Sequence, residues 1–323
     1  MTAHFDVRTL SSDDASAVCD LWRDVLPPTH HLGDWLDETV ADLIEREAIN
    51  GSGIFDSAQK GKCISFGLSC FLREEAVDAY VADPRPYMNL RLLEEARQGD
   101  FTNILLPSEV APRNAGDGLD LFVLEWCQAT YDFSDPFAHQ LLNLIIPEYI
   151  RLHQSFKIRR SFHETEVALG HIQESGLNKR LFDVFPQHPW SMSDVGPGPR
   201  AVYGLTKEDA LELPSVGVAK TIFGYTEPRF GFRPREQKIL KAALAGATDV
   251  DIAEQLGISR DGVRNHWNAI YARVADVDPH LLESPGAAAR SSSKRGSEKR
   301  RRLLAKLAGQ TQELRPYAKK TDA

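Results

Sequence analysis

Residues 232–274 read FRPREQKILKAALAGATDVDIAEQLGISRDGVRNHWNAIYARV, and this stretch decides the fold of the C-terminal part of the chain. Pro234 suits the first position of a helix, where its missing N–H costs nothing. Four apolar residues then recur at helical spacing and predict one buried face, formed by Ile239, Leu240, Ala243 and Leu244. The sequence therefore predicts a first, supporting helix.

Two further helices are predicted after it, because the chain carries a start signal for each. Thr248 with Asp251 three residues later forms a capping pair for a short second helix. Gly257 permits a tight turn, and Ser259 can cap the third helix. Two helices joined in this way are a helix-turn-helix.

The third predicted helix divides into two faces, since residues three and four apart lie on the same side of a helix. Its apolar face, predicted to be core, consists of Val263, Trp267, Ile270 and Val274. Its polar face consists of Asp261, Arg264, Asn265 and Asn268. Arg can pair with guanine and Asn with adenine in the major groove, although any surface helix also has a solvated polar face.

The same segment resembles the DNA-binding domain of LuxR-type (GerE-like) transcription regulators. The matching elements are Pro234-Arg235-Glu236, Gly246, Ile252-Ala253, Leu256-Gly257-Ile258-Ser259 and Val263-Arg264-Asn265-His266. The resemblance implies that Arg264, Asn265 and Asn268 reach base edges, beside Asp261 on the same face. Phosphate contacts are expected from Thr248, Ser259, Arg260 and His266.

The segment also departs from the family pattern at several positions. Gly262 stands where a small hydroxyl residue is usual, and Val250 where a phosphate-binding Lys is usual. Trp267 replaces a smaller aliphatic residue, and its place on the apolar face predicts a core position. The family's dimer-forming fourth helix is not recognisable after Val274, because Asp278-Pro279 interrupts the chain.

The charge of the chain is distributed unevenly. The net charge is −8, but residues from Gly231 onward carry 18 Lys and Arg against 11 Asp and Glu, a net charge of +7. The residues before Gly231 therefore carry a net charge of −15. Because phosphate neutralisation supplies most non-specific DNA affinity, a basic C-terminal part fits a duplex DNA partner, although a solvated basic tail would show the same excess.

Composition places the chain among soluble globular proteins of about two domains, with 42% hydrophobic and 26% charged residues in 323. No stretch has the length and apolarity of a membrane span, so we expect a cytoplasmic protein with no membrane partner. Four cysteines without a Cys-x-x-Cys pair, Cys19, Cys63, Cys70 and Cys127, argue against a structural zinc. No metal or cofactor is expected.

The acidic N-terminal part mixes predicted strands and helices, which indicates an α/β or α+β domain. Strands are predicted at 4–8, 53–55, 63–71 and 119–126, and helices after Ser12 and at 86–97, 137–153 and 164–174. Aromatic residues scattered through this part can line a small-molecule pocket or form the core: Trp22, Phe66, Phe71, Tyr87, Phe122, Trp126 and Tyr149.

One motif in this part resembles an enzyme signature. Arg113-Asn114-Ala115-Gly116-Asp117-Gly118 fits the Arg-x-x-Gly-x-Gly pattern with which GNAT acetyltransferases hold the pyrophosphate of acetyl-CoA. That chemistry needs a glycine loop that follows a strand and opens a helix, whereas this loop runs into a predicted strand. We therefore interpret the glycines as a loop before a strand and expect a GNAT-like fold used as a sensor.

Three other chemistries are weaker matches. Asp13-Asp14 is similar to the acidic pair of receiver domains but follows two serines, and helix capping explains it better. Trp126, Tyr131 and Asp135-Pro136 are too closely spaced for an acyl-homoserine-lactone pocket, so that ligand is not assigned. His163-Glu164 lacks the second His of a zinc protease at the required distance.

Together these observations predict a bacterial, sequence-specific transcription regulator rather than an enzyme. The predicted parts are a sensor-like domain at 1–205, a linker at 206–230, a DNA-binding domain at 231–277, and a tail at 278–323 with a flexible stretch, 284–296, and a basic helix, 297–307. A small-molecule effector and a homodimer are further expected partners. The alternatives are an acyltransferase that carries the helix-turn-helix for targeting, and a protein-interaction adaptor.

Overall fold

The computed structural model describes residues 5–25, 33, 35–175, 178–184, 199–213, 217–283 and 292–318 of the chain. Internal contacts divide it into two units. The first unit comprises residues 1–113 and 117–224, and the second comprises residues 225–323 with Asn114–Gly116. The main division thus falls inside the predicted linker. His4 and residues 284–291 of the predicted flexible stretch lie outside the described residues.

The first unit is built on a seven-stranded sheet in the order β1-β2-β3-β4-β5-β7-β6. Its strands are β1 Phe5–Thr9, β2 Ile49–Asp56, β3 Lys62–Leu72, β4 Leu119–Gln128, β5 Ile158–Glu166, β6 Lys179–Val184 and β7 Arg200–Thr206. Neighbouring strands run antiparallel except β4 and β5, which are parallel. The parallel pair requires a long crossover, which residues 129–157 provide.

Nine helices accompany this sheet in the described part of the first unit. They are α1 Ala15–Val25, α2 Trp35–Glu45, α3 Glu74–Ala82, α4 Met88–Arg97, α5 Pro107–Ala115, α6 Pro136–His153, α7 Gly170–Ser175, α8 Lys207–Glu212 and α9 Val218–Phe223. One face of the sheet packs its large side chains, such as Phe66 and Phe122, with Trp22 of α1 and residues of α2 and α4. Ile54 and Ile64 belong to a separate core cluster with Leu141 and Ile145 of α6. The first unit is therefore a mixed α/β domain with a central sheet.

Most of the helices and strands predicted for the first unit are confirmed. Asp14, of the pair Asp13-Asp14, has the capping role that the sequence predicts. Asp14 accepts hydrogen bonds from the backbone N and the Oγ of Ser11, both at 2.9 Å, and pairs with Arg8 at 2.7 Å. Burial tends to raise the pKa of Asp14, but the hydrogen bonds from Arg8 and Ser11 outweigh it and hold that pKa below its ordinary value. Asp14 thus fixes the start of the helical segment.

The helix predicted at 164–174 is wrong over its first part. The chain continues as strand β5 to Glu166, and only Gly170–Ser175 is α-helical. Glu164 is buried within β5, and its carboxylate accepts hydrogen bonds from the Arg200 Nε at 2.6 Å and the Tyr80 hydroxyl at 2.8 Å. Glu164 and Arg200 therefore form a buried ion pair inside the sheet.

The second unit is helical. Its elements are α10 Pro234–Leu244, α11 Asp249–Gln255, α12 Arg260–Val277, a 3-10 turn Pro279–Leu282, α13 Ser292–Leu307 and a second 3-10 turn Thr311–Leu314. One apolar cluster joins α10, α11, α12 and α13, and it includes Ile239, Ile252, Ile270 and Leu303. Among the described residues of both units, no helix is long and apolar enough to span a membrane.

Candidate nucleic-acid interface and a cavity in the first unit

The helix-turn-helix has the start signals that the sequence predicts. Thr248 caps α11: its Oγ1 accepts from the backbone N of Asp251 at 3.3 Å and donates to that residue's carboxylate at 2.8 Å. Gly257 has φ +60°, a left-handed conformation that glycine adopts without strain. Ser259 Oγ accepts from the backbone N of Gly262 at 3.0 Å and caps α12.

The predicted apolar face of α12 is buried. Val263, Ile270 and Val274 are fully enclosed, and Trp267 is 5% exposed. The Trp267 Nε1 donates to Asp249 Oδ1 at 3.3 Å, so its polar edge is satisfied at the beginning of α11. The prediction that Trp267 belongs to the core is confirmed.

The polar face of α12 is open to solvent. Five of the eight predicted DNA-contacting residues lie exposed along this helix: Arg260, Asp261, Arg264, Asn265 and Asn268. His266 is half-buried. Thr248 and Ser259 are also exposed, but both side chains serve as caps. The fold therefore presents a polar strip along α12 in which Arg264, Asn265 and Asn268 are exposed.

The beginning of α11 is crowded with carboxylates. Asp251 occupies the cap with Thr248, and the backbone and side-chain hydrogen bonds from Thr248 lower the pKa of Asp251. Asp249 is ion-paired with Arg300 of α13 at 2.6 Å. A phosphate approaching Thr248 would meet these acidic groups, which repel it unless a cation intervenes.

The docking of the C-terminal helix is the feature that sequence reasoning left open. Leu303 and Leu307 are 0% exposed and belong to the helix-turn-helix core. Their four-residue spacing predicts a helix with one apolar side, for which docking on the helix-turn-helix and a solvated tail are both open interpretations. The partner surface is the core formed by α10, α11 and α12.

In the first unit, a cavity of about 210 Å³ lies where β4 and β5 separate. The parallel pairing of these strands ends at Val123 and His163, and each strand then continues without the other. Side chains from β4, β5, α6 and α9 line the cavity, mostly apolar ones such as Trp126, Ile145, Phe162 and Phe223. Of the aromatic candidates, Trp126 and Tyr149 line the cavity, whereas the others are core residues: Trp22, Phe66, Phe71, Tyr87 and Phe122.

His163 is a buried polar group at this cavity, and its hydrogen bonds fix its tautomer. Asn178 Nδ2 donates to Gln173 Oε1 at 2.9 Å, which orients the Gln173 amide so that its Nε2 donates to His163 Nδ1 at 3.2 Å. The ring proton of neutral His163 therefore sits on Nε2. This nitrogen has no hydrogen-bond partner among the described residues, and the nearest carboxylate oxygen, Glu125 Oε1, is 3.8 Å away.

A second polar pair at the cavity is fully satisfied. Ser69 Oγ lies 2.6 Å from His153 Nε2, and His153 Nδ1 lies 2.8 Å from the backbone oxygen of Tyr149. The carbonyl can only accept, so Nδ1 carries the proton and Nε2 accepts from Ser69. Ser69 and His153 thus add a hydrogen-bonded polar patch to a mainly apolar wall.

The turn between β4 and α6 uses its backbone N–H groups internally. Asp132 Oδ1 accepts from the backbone N of Ser134 at 2.9 Å, and the Asp132 carbonyl accepts from the backbone N of Asp135 at 2.9 Å. Asp135 Oδ1 accepts from the backbone N of Phe137 at 2.9 Å, and Pro136 has no N–H. The turn contains no glycine, so this end of α6 presents carboxylates rather than free donors.

Comparison with known proteins finds a family match in the second unit and structural similarity in the first. Residues 232–275 match the GerE family, described as bacterial regulatory proteins of the luxR family. The second unit therefore contains a LuxR-family helix-turn-helix domain, the DNA-binding module of a transcription regulator. No curated protein matches the chain.

Several solved structures are similar to the first unit. NAA60 of Arabidopsis thaliana, in complex with a bisubstrate analogue, matches with a TM-score of 0.41 at 10% identity over 63% of this chain and 98% of that one. The loading GNATL domain of CurA from Lyngbya majuscula matches with a TM-score of 0.41 at 9% identity over 63% and 98%. FeeM, an N-acyl amino acid synthase from uncultured soil microbes, matches with a TM-score of 0.37 at 12% identity over 66% and 96%. The first unit is thus a mixed α/β domain that resembles the GNAT fold.

These matches contradict the prediction that the chain is not an enzyme. The structures that resemble the first unit include N-acetyltransferases. The sequence motif first compared with acetyltransferases does not supply that chemistry. Arg113 and Ala115 belong to the end of α5, and Gly118 leads directly into β4, as the interpretation of a loop before a strand predicts.

The residues at the start of α6 do not fit the diphosphate of coenzyme A. A diphosphate needs free N–H groups at a helix N-terminus, and here Asp135 and Pro136 remove them. The Asp132 and Asp135 carboxylates would also repel it. The start of α6 is therefore not a site for the diphosphate of coenzyme A.

Proposed function

We propose that the chain is a sequence-specific transcription regulator whose second unit binds duplex DNA through α12 and whose first unit senses a small molecule. The exposed strip of Arg264, Asn265 and Asn268 supports the DNA-binding role, because its opposite face is locked in the core. Arg264 would read a base edge, while Asn265 and Asn268 assist. Phosphate contacts would come from Ser259, Arg260 and His266. Thr248 is not proposed for this role, because its hydroxyl and its backbone N–H both donate to Asp251.

The sensing role rests on the cavity. An effector that fills it would be largely apolar, because most of the lining is. It would also carry a hydrogen-bond acceptor such as a carbonyl oxygen, since the Nε1 of Trp126 and the Nε2 of His163 are buried donors without an acceptor among the described residues. An anionic head is disfavoured by Glu125 beside His163.

Selection of bound sequences from a random duplex pool tests the DNA-binding role, with the full chain and an Arg264→Ala variant. We expect a defined motif for the full chain. In the variant, the loss of one base-reading side chain should cost about 1 to 3 kcal/mol and relax the preference at one base pair. Arg46→Ala, which removes an exposed arginine of the first unit, serves as the charge-matched control. Equal weakening on all sequences would instead assign Arg264 to a phosphate.

A second candidate function is acyl transfer in the first unit, favoured by one observation. Glu125 and His163 lie 3.8 Å apart where β4 and β5 separate, and a carboxylate there can take a proton from an attacking amine. The assay follows amine acylation by mass spectrometry, with acetyl-CoA compared with a short N-acetylcysteamine thioester. Turnover that Glu125→Gln abolishes, without loss of folding, would support this role. Absence of turnover with both donors and a panel of amines would contradict it.

A further inference from the structure

The C-terminal helix α13 is an integral part of the second unit. Leu303 and Leu307 are completely buried in the same cluster as Ile239 and Ile270. The chain beyond α13 is held as well, because the buried carboxylate of Glu313 accepts from the backbone N of Arg229 at 2.8 Å. A helix fixed in this way has a defined outer face.

Arg300 connects this helix to the beginning of α11. Its Nη1 lies 2.6 Å from Asp249 Oδ1, and its guanidinium carbon lies 4.3 Å from the ring centre of Trp267. Asp249 is the first residue of α11, and Trp267 is on the buried face of α12. The basic helix is therefore anchored beside the N-terminus of the first helix of the helix-turn-helix.

That position matters because the first helix of a helix-turn-helix crosses the DNA backbone. By itself the beginning of α11 is poorly suited to phosphate. It carries the carboxylates of Asp249 and Asp251, and the residue between them is the exposed, uncharged Val250. The guanidinium of Arg300 is paired with Asp249, so the charge of one of these two carboxylates is neutralised.

The exposed sides of α13 add further positive charge, with Lys299 and Arg301 about 100° around the helix to either side of Arg300. Residues 297–307 contain five basic residues and one acidic residue, Glu298. Lys299 is exposed, and the side chain of Arg301 is 71% exposed although it pairs with Glu298 at 2.8 Å. An exposed pair of this kind contributes little, so Arg301 remains available to a phosphate.

We propose that α13 is a second DNA-contacting element, which binds the phosphate backbone through Lys299 and Arg301 beside the beginning of α11. The inference rests on the proposed DNA binding of the second unit. It places part of the interface outside residues 232–275, and it assigns to α13 the phosphate contact that Val250 does not make.

The salt dependence of affinity tests this proposal. Full-length chain and a Lys299→Ala/Arg301→Ala variant are titrated onto a fluorescent duplex over a range of salt concentrations. Each lost phosphate contact should reduce the slope of log K against log salt by about 0.9. Two lost contacts should therefore weaken binding about 30-fold at 0.15 M salt, if counterion release accounts for the effect.

The control removes the same charge from the first unit, with Arg46→Ala/Arg97→Ala, two exposed arginines. We expect its slope to stay at the value of the unmodified chain. An unchanged slope in the α13 variant would overturn the inference while leaving the proposed function intact. If the unmodified chain binds no duplex at any salt concentration, the proposed function itself fails.

The ion pair between Arg300 and Asp249 gives an independent readout. Arg300→Ala exposes the negative charge of Asp249 to the phosphate backbone of the DNA, so the affinity for the duplex should fall about 5-fold or more at 0.15 M salt. Adding Asp249→Asn removes that charge and keeps an acceptor for Trp267, so part of the loss should be recovered. Thermal unfolding of each variant shows whether the unit remains folded. No recovery in a folded double variant would mean that Arg300 does not act by covering Asp249.

Discussion

Replacing Leu307 by alanine should destabilise the helix-turn-helix core, although Leu307 lies outside the segment that matches the regulator family. The side chain is 0% exposed. The substitution removes three carbons, worth about 2.4 kcal/mol in transfer free energy. The cavity left behind raises the expected cost to about 3 to 5 kcal/mol.

Hydrogen exchange followed by mass spectrometry on the full chain measures this effect locally, which avoids treating two units as a single transition. A loss of about 3 kcal/mol corresponds to roughly 150-fold faster exchange of α12 amides, if the second unit opens cooperatively. Lys306→Ala, at an exposed neighbouring position, is the control and should leave the exchange unchanged. Faster exchange confined to α13, with α12 still protected, would refute the reasoning that one core joins these helices.

Three further predictions concern other places in the chain. Gly262→Ala should stabilise α12 by about 0.5 to 1 kcal/mol, because alanine has a higher helix propensity than glycine. The added Cβ fits, since it would meet Ser259 Oγ at 3.4 Å and Ile258 Cβ at 3.6 Å, which are ordinary contact distances. A lower melting temperature of this variant would contradict the prediction. The first unit should lose stability as the pH falls below about 4, since the pKa of Asp14 is lower in the folded state than in the unfolded chain. In an acid unfolding experiment, the stability of Asp14→Asn should depend less on pH than that of the unmodified chain. Burial raises the pKa of Cys63 to about 12, so iodoacetamide should label this thiol slowly in the native chain and rapidly in urea; fast native labelling would exclude a packed strand position.

The helix-turn-helix was largely predictable because its signals are local. Thr248 with Asp251, and Ser259 before α12, are capping signals that span four residues. The spacing of Val263, Trp267 and Ile270 likewise shows which face is buried without knowledge of the rest of the fold. The roles of Arg264 and its neighbours toward DNA stay predictions, since side-chain exposure alone does not identify a ligand.

The features that were missed depend on contacts between residues distant in the sequence. Glu164 is paired inside the sheet with Arg200, which lies 36 positions away in the sequence. Nothing near Glu164 indicates this pairing, and the segment that contains it was predicted as a helix. Arg300 and Asp249 are 51 positions apart, and nothing near either residue indicates their pairing. The cavity depends on the separation of β4 and β5, which a strand prediction does not reveal.

The anchoring of Glu313 on the backbone of Arg229 and Phe230 sets the limits of any minimal DNA-binding fragment. A fragment cut to the family match, residues 232–275, would lose Leu303, Leu307 and Glu313 and would leave apolar side chains such as Ile239 facing water. A useful fragment must begin before Arg229 and continue through at least Arg315, whose backbone oxygen accepts from Gln237 Nε2 at 2.6 Å. Because its two ends lie against each other, such a fragment should also tolerate circular permutation.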